Sequence, residues 1–144
     1  MHRLLFLCTG NYYRSRFAEI LFNARATICG SPWLAFSRGL ALPQDGRNVG
    51  PLSPFAREAL AALGIASPAM ERYPLAVDER DFQAANYIIA LDEVEHRPYV
   101  QAHHAHWLHQ IHYWHVRDQA PTPMYNPLAE IRREVEALLA QFGQ

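Results

Sequence analysis

Apolar and polar positions alternate in blocks along this chain, and the blocks have two different periods. Leu4-Leu5-Phe6-Leu7 is a short continuous apolar run and reads as a strand over residues 3–8. Phe17, Ile20, Leu21, Ala24 and Ile28 then recur at helical spacing, which predicts a helix from Ser15 to about residue 26 with Ser15 as its N-cap. Leu34-Ala35-Phe36-Ser37 reads as a second strand ended by Gly39, and residues 40–52 as a loop. Ser53-Pro54 opens a second helix that ends at Gly64. Residues 65–80, with Pro68 and Pro74, read as irregular. The apolar run Tyr87-Ile88-Ile89-Ala90-Leu91 fits a strand buried on both faces. A helix from Asp92, disturbed at Pro98, should follow, then a fourth strand over Gln110–Val116. After a loop at 117–125, Asn126-Pro127 caps a last helix with Leu128, Ile131, Val135, Leu138, Leu139 and Phe142 as its buried stripe.

Strands alternating with helices predict an α/β fold with a parallel sheet, helices on both faces and right-handed crossovers. Ligands in such sheets bind beyond the C-terminal ends of the strands. Cys8 ends the first strand, Asp92 ends the third and Asp118 follows the fourth, so three separate segments bring chemistry to one sheet edge.

The densest chemistry lies in Cys8-Thr9-Gly10-Asn11-Tyr12-Tyr13-Arg14-Ser15, between the first strand and the first helix. Unpaired N–H groups and the helix dipole make such a point an anion site. A thiol placed there is expected to ionise readily. An arginine six residues on can grip two phosphate oxygens with its planar fork. A cysteine nucleophile beside a phosphate cradle points to a cysteine-dependent phosphatase. The competing interpretation of Cys8 is an ordinary buried thiol at a strand end.

Composition narrows the field. The chain has 144 residues, half of them hydrophobic and 19% charged, which suits one folded domain over 1–144. The net charge of −1 gives no global field for nucleic acid or an anionic membrane. All 13 basic residues are arginine. Two cysteines make no disulfide framework, and no apolar run approaches the ~20 residues of a membrane span. A cytoplasmic, reduced protein is expected, with Cys29 as a packing residue. Six histidines between His103 and His115 form a cluster, read as surface or structural rather than metal-binding, because no cysteine and few carboxylates accompany them. Trp107 and Trp114 read as packing residues.

Residues 8–15 and the element order resemble the low-molecular-weight protein tyrosine phosphatase family, whose loop reads Cys-x-Gly-Asn-x-Cys-Arg-Ser-Pro. Ser37-Arg38-Gly39 resembles its Ser-Ala-Gly, and Leu91-Asp92-Glu93 its Met-Asp-Glu. Asp118 falls where the family carries its general acid in an Asp-Pro pair. The resemblance implies a single-domain three-layer sandwich with a four-stranded parallel sheet in order 2-1-3-4. It also implies hydrolysis of phosphotyrosine or a similar aryl phosphate through a phosphocysteine, with no metal or other cofactor. Cys8, Arg14 and Asp118 would then be catalytic, and Thr9, Gly10, Asn11, Tyr12, Tyr13 and Ser15 would bind substrate. Ser37 and Asp92 would support the site, Ser37 through Asn11 and Asp92 by capping the following helix or by orienting loop N–H groups. The expected partner is a phosphorylated protein or a small aryl phosphate, with phosphate or sulfate able to occupy the loop. The chain is expected to be a monomer.

Several positions depart from the family pattern. Gln119 stands where proline would follow the acid, and Tyr13 replaces the second loop cysteine. Tyr12 replaces a smaller aliphatic residue, and Arg16 replaces proline, adding charge near the anion. The loop after Asp118 lacks an adjacent tyrosine pair, leaving Tyr125 as the nearest aromatic wall. These departures keep open a catalytically weak anion-binding relative. Arsenate reductase chemistry is a further alternative, but it needs resolving cysteines and only Cys29 is available.

Overall fold

The computed structural model describes residues 1–143. Strands β1 (His2–Cys8), β2 (Trp33–Gly39), β3 (Tyr87–Ala90) and β4 (His112–Tyr113) form one parallel sheet in the order β2-β1-β3-β4. The helices are α1 (Arg14–Cys29), α2 (Pro54–Ala62), α3 (Glu79–Ala84), α4 (Glu93–His103) and α5 (Pro127–Phe142).

β1 is the centre of the sheet, and its alternation explains the three layers. Leu4 and Phe6 point to one face, where they pack with Phe17, Ile20 and Leu21 of α1, Leu60 of α2 and Ile131 and Val135 of α5. Leu5 and Leu7 point to the other, against Phe82 of α3, Val100 of α4, Ile88 and Ile111. Because both faces of β1 are buried, its sequence is a continuous apolar run rather than an alternating one. Truncating a residue so enclosed, such as Phe6, costs about 3–5 kcal/mol.

Several local expectations are corrected. Helix α1 begins at Arg14 and its N-cap is Tyr13, with no side-chain capping bond, so Ser15 is not the cap. The helix continues to Cys29, and its last turn runs past the packed layer; Thr27, Ile28 and Cys29 are all exposed there. Ile28 therefore leaves the apolar face, and Cys29 is not a packing residue. Residues 65–80 contain a 3-10 turn at Pro68–Glu71 and the start of α3, which a reciprocal Asp78/Asp81 capping box initiates. Helix α4 passes through Pro98 without interruption. The fourth strand shrinks to His112–Tyr113 because β4 lies at the edge and pairs only with β3. Its backbone nonetheless stays tied to β3 farther along, through Trp114 N–H to Ala90 and Val116 N–H to Leu91.

The histidines disperse among separate contacts: His104 tilts against Phe82, and His112 stacks on Tyr87 with ring centres 4.1 Å apart. Trp107 stacks on Phe82 and Trp114 packs on Phe6, as packing residues should. Among the described residues, no helix is long and apolar enough to cross a membrane.

Candidate active site

The loop between β1 and α1 turns sharply at Asn11, which adopts φ 51°. This left-handed backbone is tolerated by asparagine better than by most residues. Its side chain fixes the turn from both ends. Nδ2 donates to Ser15 Oγ and Ser37 Oγ, each at 2.9 Å, while Oδ1 accepts from Leu75 N–H at 3.0 Å and Arg72 Nη1 at 3.1 Å. Gly39 at the end of β2 allows the close approach this needs, since a Cβ there would sit 2.8 Å from the Thr9 carbonyl. Among the described residues, no acceptor takes the N–H groups of Thr9, Gly10, Asn11, Tyr12 or Tyr13. With no acid in the first turn of α1, these donors form an open cradle for an anion.

Cys8 Sγ lies 3.0 Å from Ser15 Oγ, and both are buried. Ser15 thus serves the thiol rather than capping the helix. Beneath it a polar chain continues: Ser37 Oγ donates to Glu19 Oε1 at 2.7 Å, and Arg72 Nη2 approaches the same Glu19 oxygen at 3.2 Å.

Arg14 is 2% exposed. Its Nη1 donates to the Val116 carbonyl at 2.8 Å and its Nη2 to Glu95 Oε2 at 2.7 Å. Among the described residues Nε has no hydrogen-bond partner, and it faces Asp118 Oδ1 at 3.8 Å. Burial opposes the Arg14 charge, but Cys8, Glu95 and Asp118 outweigh it and raise its pKa above the ordinary value. The same Glu95 oxygen accepts from Thr9 Oγ1 and lies 3.1 Å from His96 Nε2. Burial works against the Glu95 charge too. The hydrogen bonds from His96, Arg14 and Thr9 prevail and hold the carboxyl below the usual range. His96 Nδ1 accepts from Asp92 N–H at 3.0 Å, so Nε2 carries the ring proton.

Cys8, Gly10, Tyr12, Tyr13, Arg14 and Asp118 line one cleft of about 320 Å³ with Asn48, Ser53, Phe55 and Gln119. The predicted residues Asn11, Ser15 and Ser37 lie under it as supports. Thr9 offers the cradle only its N–H, because Glu95 and His96 take its hydroxyl. Asp92 sits at the N-cap of α4 but makes no side-chain capping bond; Oδ1 is buried without a partner, and Oδ2 is 3.8 Å from Arg117 Nη1. Arg16 is anchored outside the cleft, its guanidinium donating to the Pro51 and Ala69 carbonyls, while its charge still acts on Cys8. Tyr125 does not line the cleft; its hydroxyl accepts from Arg117 N–H at 3.0 Å. Tyr12, Tyr13 and Phe55 supply the aromatic wall instead.

Glu19, Arg72, Glu95, His96 and Phe55 were not singled out from sequence. A family model for the low molecular weight phosphotyrosine protein phosphatases matches residues 3–143. The chain belongs to this family. It is therefore a cysteine-based phosphatase, a phosphoric monoester hydrolase. The fold matches the low molecular weight protein tyrosine phosphatase from T. tengcongensis, with TM-score 0.81, 25% identity and coverage of 98% of this chain and 99% of that one. YfkJ from Bacillus subtilis matches with TM-score 0.76 and 27% identity, covering 99% and 95%. The YwlE arginine phosphatase from Geobacillus stearothermophilus shares the fold at TM-score 0.72 and 19% identity, covering 97% and 89%. No curated protein sequence matches the chain.

Proposed function

We propose that residues 1–144 form one phosphatase domain that hydrolyses phosphotyrosine or similar aryl phosphates through a phosphocysteine. The observation that carries this reading is one cleft holding Cys8, the unpaired N–H cradle, Arg14 and Asp118. Cys8 attacks phosphorus as a thiolate to which Ser15 donates. The phosphorus–oxygen bond breaks, and its electron pair leaves with the phenolic oxygen, which takes the proton of Asp118. A phenolate of pKa ~10 departs poorly without that proton. Water then attacks phosphorus and gives Asp118 a proton. The phosphorus–sulfur bond breaks, releasing phosphate and restoring the thiolate. Arg14 and the loop N–H groups hold the three remaining oxygens throughout. With one hydrogen of Nη1 and one of Nη2 already anchored, Nε–H and the second hydrogen of each Nη remain for phosphate.

The substrate class rests on the walls. Tyr12, Tyr13 and Phe55 present ring surfaces suited to an aromatic leaving group. Steady-state assays of a phosphotyrosine peptide against a phosphoarginine peptide test this, with Cys8→Ser and Asp118→Asn alongside wild type. Preference for phosphotyrosine is expected. Preference for phosphoarginine overturns the substrate assignment, and turnover by Cys8→Ser overturns the mechanism.

A further inference from the structure

Asp118 lies in an exposed segment, and most of its hydrogen bonds are internal. Gln119 N–H bonds to the Arg117 carbonyl, Thr122 and Tyr125 bond to each other, and Tyr125 Oη accepts from Arg117 N–H. Two ion pairs at 3.8 Å reach outward, Asp118 to Arg14 and Arg117 to Asp92. Among the described residues, one hydrogen bond beside Asp118 joins this segment to the rest of the protein, from Tyr13 Oη to the Gln119 carbonyl at 2.9 Å. At the far end of the segment the Tyr125 hydroxyl also pairs with Glu130 of α5.

The donor is well fixed. Tyr13 is the N-cap residue of α1, its ring meets Phe55 edge to face at 6.3 Å, and it packs against the core. The acceptor belongs to the residue next to Asp118. We propose that Tyr13 is a positioning residue for general acid catalysis: its hydroxyl holds the Asp118 segment over the cleft so that the carboxyl meets the leaving oxygen. This rests on the assignment of Asp118 as the acid. Burial and the nearby Asp118 charge push the Tyr13 pKa up to about 12, so the hydroxyl remains a donor at every working pH. Exposed segments with few anchors open most easily. Losing the anchor beside the acid lowers the fraction of time the acid is in place, and the rate falls with that fraction.

Tyr13→Phe keeps the ring and removes the donor. The measurement is kcat/KM for phosphotyrosine and for a nitrophenyl phosphate with an acidic leaving group, in wild type, Tyr13→Phe, Asp118→Asn and the double variant. Tyr13→Phe should lower the ratio of kcat/KM for phosphotyrosine to kcat/KM for the nitrophenyl ester about five- to tenfold, the worth of one hydrogen bond, on top of any effect the change has on both esters alike. The double variant should match Asp118→Asn in this ratio, because the anchor has nothing left to position. Equal slowing of both esters, no slowing, or a ratio in the double variant lower by the full Tyr13→Phe factor overturns the proposal. If Asp118→Asn itself shows no leaving-group bias, the acid assignment fails first and the role of Tyr13 falls with it. Failure confined to the Tyr13 variants leaves the acid assignment intact.

Discussion

Arg14 Nη2 lies 2.7 Å from Glu95 Oε2, a carboxylate 81 residues away along the chain. That oxygen also takes the Thr9 hydroxyl, so one group holds both the guanidinium and the first residue of the loop. Glu95→Gln keeps the shape and removes the charge. It should lower kcat/KM about tenfold through a less ordered Arg14, charge-assisted hydrogen bonds being roughly twice as strong as neutral ones. The carboxyl is depressed in the folded state, so its stabilisation is present above the unfolded pKa of ~4.3 and is lost as pH falls below it. The Tm gap between wild type and Glu95→Gln should therefore be widest near neutral pH and shrink below about pH 4. A gap independent of pH contradicts this account of Glu95.

Arg14→Lys separates charge from geometry. Lysine cannot reach the Val116 carbonyl and Glu95 while also presenting two parallel donors to phosphate. We expect kcat/KM to fall by about a hundredfold or more. Near-normal efficiency in this variant would mean that only a point charge is required.

Asn11→Ala removes four hydrogen bonds and leaves a β-carbon residue at φ 51°. A loss of about 2–4 kcal/mol in stability is expected, read from denaturant midpoints. Phosphate protection against unfolding should disappear with it. Retained phosphate protection would show that the cradle forms without this asparagine.

Oxidation should be hard to reverse. Cys8 precedes α1 and Cys29 ends it, so a 16-residue helix about 24 Å long lies between the two cysteines. Tyr13 offers no thiol. Peroxide should carry Cys8 beyond sulfenic acid, with poor recovery in thiol reductants. A Cys8–Cys29 disulfide in mass spectra, with full recovery, contradicts this.

Local patterns and distant contacts differed in how far the sequence exposed them. The β1 run, the turn at Asn11, Arg14 and Ser15 lie within 12 residues, so spacing alone placed them around Cys8. Asp118 was reached because strand ends in a parallel sheet share an edge, and Ser37 through the resemblance of Ser37-Arg38-Gly39 to the family's Ser-Ala-Gly. Glu95 and Arg72 were not, because their partners Arg14 and Glu19 are 81 and 53 residues away. Helix α3 was missed although Asp78 and Asp81 carried its capping signal, because its six residues bury one anchor, Phe82. Tyr13 and Gln119 each stood out as departures from the family pattern; only the fold shows that they bond to each other.

The central claim is that Cys8 carries the phosphoryl group. Rapid mixing with an aryl phosphate, acid quench within the first turnover and peptide mass spectrometry test it most directly. The account predicts one phosphorylated peptide, with the modification on Cys8, absent in Cys8→Ser. Product formed without any phosphorylated Cys8, or undiminished turnover by Cys8→Ser, would contradict it.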